Sequence, residues 1–117
     1  MQLNEINYED AAPIQGYGPG FFRIANEVHE GPIIVVPGRI SPWAGYDDRD
    51  PLLALAGGID VLFVGTGAEI AHLPPEFRAP LEEAGIGVEC MASPAACRTY
   101  NVLLSEGRRV GLALLPV

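Results

Sequence analysis

The chain has 117 residues, 49% of them hydrophobic and 19% charged, with a formal net charge of −8. That length fits one domain with enough chain to bury a core, and the composition is that of a globular chain and not of a disordered one. The charge argues against nucleic acid and anionic membrane surfaces, which demand a basic footprint; the basic residues are all arginine and scattered, with only Arg108 and Arg109 adjacent.

The chain opens on MQLNEINYED, a polar, acidic stretch with neither the basic nor the apolar segment of a signal peptide. Residues 1–12 are expected to form a loose arm ahead of a single α/β domain over 13–117. No apolar run approaches the roughly 18 residues of a membrane span, so no direct membrane insertion is expected. The expected compartment is the cytoplasm, where Cys90 and Cys97 stay reduced.

After an extended, glycine-punctuated stretch (IQGYGPG, 14–20), FFRI at 21–24 and VHE at 28–30 read as two short strands turning at Ala25-Asn26-Glu27. Three apolar runs follow: Ile33–Val36, Val61–Val64 and Ile86–Met91. None alternates, as expected of strands covered on both faces. Between the first two, Asp50-Pro51 reads as a helix N-cap and N1 proline, with Gly57-Gly58 ending the helix. Between the second and third, Pro80 interrupts a helical stretch from Pro75 to Ala84. Since an internal proline removes a hydrogen bond and clashes with the preceding turn, the expectation is one turn followed by a short helix from Pro80.

The clearest helix has Ser93 as N-cap, Pro94 at N1 and Gly107 just past its end. Ala96, Tyr100, Leu103 and Leu104 share its apolar face, opposite Arg98, Asn101 and Ser105. A last strand spans Val110–Leu115, with its direction open. Strands alternating with helices indicate an α/β sheet with an N-terminal β-meander added.

The C-terminal stretch GIGVECMASPAACRTYNVLLSEGRRVGLALLP, with LFVGTG at 62–67, Trp43, EGPIIVVP at 30–37 and GFFRI at 20–24, resembles a small domain family of unknown function first seen structurally in a methanogen protein. That family also contains mitochondrial complex I assembly factor 3 and an adipogenesis-associated animal protein. The resemblance covers roughly residues 13–116. It implies a three-layer α/β domain with a mixed central sheet, helices and an N-terminal β-hairpin layer. It implies no known reaction. The mitochondrial relative acts as a partner-binding assembly factor, and some bacterial relatives are encoded near protein-export genes; carrying either role over is analogy.

Gly65-Thr66-Gly67 has the look of a phosphate loop. A dinucleotide fingerprint needs a third small residue and a helix starting at the glycines, but Ile70 holds that position and Pro74-Pro75 lies where the helix should run. What stays open is a structural turn or a ligand or partner crevice. The crevice reading places Trp43, Gly65, Thr66, Gly67, Ser93, Thr99 and Tyr100 about the loops Pro37–Trp43, Gly65–Ala68 and Ala92–Ser93, at the carboxyl ends of parallel strands and beside helix N–H groups able to meet an anion. Trp43 is equally read as a core plug. Thr99 is read as bonding back to Ala95 or facing a pocket, and Tyr100 as a buried residue needing a hydroxyl partner. Arg98 and Asn101 are read as a partner surface or a solvated face.

No catalytic residue, cofactor or metal site is assigned. The chain has no lysine, which removes Schiff-base chemistry and the P-loop lysine. Cys90 and Cys97 fit neither a C-x-x-C nor a zinc spacing, Asp47-Asp48-Arg49-Asp50 lacks the rest of an EF-hand loop, and no G-x-S-x-G is present. The leading expectation is a bacterial, non-enzymatic protein-binding or assembly factor resembling a respiratory complex I assembly factor, with a protein partner. The alternative is a small-molecule binder or enzyme at the crevice near Trp43 and Thr66.

Overall fold

A computed structural model describes residues 11–117; apart from Ala11 and Ala12, the arm expected at the N-terminus lies outside the described residues. The first three strands, β1 (Ile14–Gly18), β2 (Phe21–Ile24) and β3 (Glu27–Glu30), form an antiparallel meander. Its β2–β3 turn uses only Ala25 and Asn26, at φ 52° and 65°, the left-handed pair that matches hairpin twist. Gln15, at an irregularity in β1, holds that turn: its Oε1 accepts from the Asn26 N–H at 2.6 Å and its Nε2 donates to the Asn26 side chain at 3.1 Å.

The chain then continues through β4 (Ile33–Val36), β5 (Arg39–Pro42), α1 (Asp50–Leu53), β6 (Val61–Thr66), α2 (Pro75–Glu83), β7 (Gly87–Met91), α3 (Ser93–Ser105) and β8 (Val110–Leu115). Five of these strands make the central sheet in the order β5-β4-β8-β6-β7. β6 pairs parallel with both β7 and β8, and β4 pairs antiparallel with β5 and β8. The sheet is therefore mixed, with β4 alone running against the rest. β8 is inserted centrally and is buried nearly throughout, which explains its lack of alternation.

Both faces of the sheet are covered. Ile34, Val36, Leu62, Val64 and Ala113 pack with Leu52, Leu55, Phe77 and Leu81 from the α1 and α2 side. Ile33, Val35, Phe63, Leu112 and Leu114 pack with Ala96, Cys97 and Tyr100 of α3 and with Ile14, Phe22 and Ile24 of the meander. The architecture is the three-layer α/β domain the resemblance implied.

Several local expectations are corrected. Arg39–Pro42 is a strand hairpinned onto β4 and not a loop. The cap of α1 is Arg49, with Asp50 in the first turn, and the helix stops at Leu53 ahead of Gly57. The cap of α3 is Ala92, so Ser93 and Pro94 occupy its first turn. Its end closes as expected at Gly107, whose N–H donates to Leu104 at 3.0 Å while the Arg108 N–H reaches Leu103 at 3.0 Å. Helix α2 runs unbroken through Pro80. The proline deprives the Glu76 carbonyl of its helical donor, and Arg49 Nη1 supplies a replacement at 2.6 Å.

Asn101 does not belong to a free polar face. Its Oδ1 accepts from the Ile14 N–H at 2.8 Å and its Nδ2 donates to the Ile14 carbonyl at 2.9 Å, tying α3 to β1. Asn101→Ala leaves both backbone groups without these partners and is expected to cost about 1–3 kcal/mol. Urea unfolding should read that loss, and amide exchange should accelerate in β1 before it does in the central sheet.

Candidate functional site at the strand ends

β5, β6, β7 and β8 all end on one side of the sheet, where Pro42, Ile33, Leu114, Gly65 and Met91 lie in one cross-strand row. A Cβ on Gly65 would sit 2.6 Å from Ser93 Oγ, 2.7 Å from Leu114 Cδ2 and 2.9 Å from Ser93 Cα. Only a hydrogen fits there. Gly67 adopts φ 102°, which an L side chain resists.

The polar groups around these glycines are paired with one another. The Ser93 hydroxyl donates to the Leu115 carbonyl at 2.5 Å and accepts from the Gly67 N–H at 2.9 Å. The Ser93 N–H donates back to the Gly67 carbonyl at 2.8 Å. Thr66 Oγ1 donates to the Glu69 carbonyl at 2.7 Å, with the Met91 carbonyl further off at 3.2 Å, and accepts from the Ala71 N–H at 3.1 Å. The result is a lock joining β6, β7, β8 and the start of α3. It also reduces the anion-binding capacity of α3: the first N–H is committed to Gly67 and the second position is Pro94, which has none.

Trp43 follows β5 and is 3% exposed. Its Nε1–H donates to the Asp48 carbonyl at 3.0 Å, and its ring lies 5.8 Å from Tyr46 and 6.0 Å from Phe77. It fills the α2 side of the sheet. Tyr100 is fully buried in the α3 cluster on the opposite face, Thr99 is half-buried, and Arg98 is exposed. Thus Gly65, Thr66, Gly67 and Ser93 come together, whereas the sheet separates Trp43 from Tyr100, and Asn101 is engaged with β1.

A cavity not foreseen lies next to the lock. A cavity of about 150 Å³ is lined by Ile70, Ala71, His72 and Cys90. The available signal was positional: Cys90 is near the end of β7, His72 follows β6, and these neighbours are parallel. Among the described residues, no cluster of three or more His, Cys, Asp or Glu side chains suits a metal ion.

The two thiols differ sharply. Cys97 is 4% exposed, and burial pushes its pKa up to about 11, with Arg98 opposing the shift. Burial also raises Tyr46, reinforced by the nearby Cys90. Thiol labelling of the folded chain at pH 8 should therefore modify Cys90 well ahead of Cys97, as read by intact mass of the Cys90→Ala and Cys97→Ala variants. The raised Cys97 pKa also means that its stabilising contribution is complete below the ordinary thiol value and is lost as pH rises from about 9 towards 11, about 3 kcal/mol in all. Urea titrations at pH 8 and 10.5 should show this loss in the parent chain and a smaller one in Cys97→Ala.

A meander packed over α3, a mixed five-stranded sheet and a serine–glycine lock at its ends define a domain of the Mth938-like fold. The solved Mth938-like domain of Bordetella pertussis superposes with a TM-score of 0.76 at 31% identity, covering 99% of this chain and 92% of that one. The chain belongs to the family described as "protein of unknown function (DUF498/DUF598)", whose model matches residues 14–115. An uncharacterized protein of Rhodobacter capsulatus is 52% identical over 117 residues, all of this chain and 94% of that one. Human NADH dehydrogenase [ubiquinone] 1 alpha subcomplex assembly factor 3 is 30% identical over 123 residues, spanning 99% of this chain and 67% of the human protein. Among the described residues, no helix is long and apolar enough to cross a membrane.

Proposed function

We propose that this chain is a non-enzymatic, cytoplasmic assembly factor that works by binding a protein partner. The observation that carries the reading is its likeness, over nearly its whole length, to proteins named as assembly factors of NADH dehydrogenase. A supporting observation is that the polar groups best placed for chemistry at the strand ends are spent on each other. The crevice alternative near Trp43 and Thr66 has less support, because the indole is part of the core.

Affinity capture from the native cell after mild crosslinking tests the proposal. Reproducible recovery of one protein, or of the subunits of one complex, is the expected result. A chain that recovers no reproducible partner, yet shifts its melting temperature by several degrees with a metabolite, would overturn it in favour of a small-molecule binder.

A further inference from the structure

The two sheets have four terminal strands, and the fold treats them unequally. At β1, the outward N–H and carbonyl of Ile14 are both taken by Asn101. At β7, Arg78 Nη2 donates to the Val88 carbonyl at 2.7 Å and so takes one outward group of that edge. The remaining terminal strands are β3 and β5.

The hairpin registers say which backbone groups they present. Ile24 and Glu27 flank a two-residue turn, and the Gly31 N–H bonds Gly20 further along the same ladder. The alternation of an antiparallel pair then directs Val28 and Glu30 away from β2. By the same logic the Val36–Arg39 turn and the Trp43 N–H bond to Pro32 direct Ile40 and Pro42 away from β4.

All four outward residues line one cleft of about 260 Å³, together with His29, Ile33 and Ser41. No loop or side-chain hydrogen bond among the described residues uses their backbone groups. His29 Nε2 is buried there without a hydrogen-bond partner among the described residues, and Val28 is 49% exposed. The one charged side chain lining the cleft is Glu30, with Glu27 exposed on the same strand.

We propose that this cleft docks an extended, basic segment of a partner protein. The segment adds a strand to the open edge and sends a lysine or arginine side chain to Glu30. Main-chain hydrogen bonds supply affinity in such strand addition and side-chain pockets supply selectivity. Charge decides the occupant: the chain carries −8 overall, and its own first ten residues contain Glu5, Glu9 and Asp10. Both a second copy and that N-terminal stretch would bring like charge to Glu27 and Glu30, whereas a basic segment is attracted. This inference rests on the reading of the chain as a partner-binding factor and specifies its surface.

The test is an NMR titration of the full chain with acetyl-Thr-Arg-Val-Lys-Val-Thr-amide, alongside a peptide carrying glutamate in place of arginine and lysine. Saturable shifts at the amides of Val28, Glu30 and Ile40 with the basic peptide alone support the proposal. Glu30→Gln should weaken that binding about two- to fivefold, as for an exposed ion pair, and added salt should do the same. Val28→Pro removes an outward N–H without touching the β2 ladder and should abolish binding, while Val28→Ala should retain it. If Val28→Pro does not fold, Glu30→Gln still decides.

Equal binding of the acidic peptide, no effect of Glu30→Gln, or shifts confined to another surface would overturn the proposal. So would movement of the β3 and β5 amides on deleting residues 1–10, which would make the chain its own occupant, or a concentration-dependent dimer protecting the same amides. Capture of a native partner that protects a different face leaves the assembly-factor reading standing and removes this one.

Discussion

Trp43→Ala is expected to cost about 3–5 kcal/mol, the range for deleting a large buried aromatic side chain. At this chain length that lowers the melting temperature by roughly 10–20 °C. The physical content is the loss of the packed triangle with Tyr46 and Phe77, whose mutual ring separation is 5.1 Å, and of the hydrogen bond to the Asp48 carbonyl. Trp43→Phe separates these contributions: it keeps most of the ring contact, loses the N–H, and should cost about 1–2 kcal/mol. Differential scanning calorimetry of both variants is the measurement. A loss below about 1 kcal/mol for the alanine variant would mean that the indole is a lid over an open crevice, which would revive the small-molecule reading.

Gly65→Ala should be the most damaging single-methyl addition in the chain. Its Cβ would fall within 3 Å of a backbone carbon of Ser93 as well as the Ser93 hydroxyl and a Leu114 methyl. The leucine methyl can rotate away. The Ser93 Cα cannot, because Ser93 is pinned to Gly67 and Leu115 and followed by Pro94. Separating β6 from α3 is the remaining response, and overpacking of this kind costs about 3 kcal/mol. Gly16→Ala is the matched control: nothing lies within 4 Å of its Cβ, so it should be neutral or stabilising by about 0.5 kcal/mol. Urea midpoints should separate the two variants by more than 1 M at a typical urea slope for a small domain. Equal midpoints would show that β6 and α3 have room to part.

The elements written in apolar runs were legible. IIVV at 33–36 and the last strand at Val110–Leu115 lie where continuous hydrophobicity puts doubly covered strands. What escaped depended on contacts between distant segments. RISP at 39–42 contains arginine, serine and proline and reads as a loop, yet it is a strand because β4 offers a ladder on its free side. Pro80 reads as a break, but an arginine far back in the chain repairs the bond it removes. Asn101 sits correctly on the polar side of the helical wheel, but a wheel contains no second sheet and cannot place β1 against it. At the strand ends, the proline pair that argued against a nucleotide loop was informative, as was the reading of the glycines as a structural turn. That Trp43 and Tyr100 lie apart was not legible, because the sheet that separates them gathers four separate stretches of chain, with β8 central.

The central position of β8 has a consequence for biosynthesis. It lies between β4 and β6, and its pairings reach back to Ile33 in one direction and to Val61 in the other. Until Val110–Leu115 leaves the ribosome, neither β4 nor β6 has the neighbour it shares in the finished sheet. Both then expose strands of high hydrophobicity and an unpaired edge to the crowded exit site. Folding awaits the final strand and is then fast or slow according to how quickly one short segment threads between two that are already waiting.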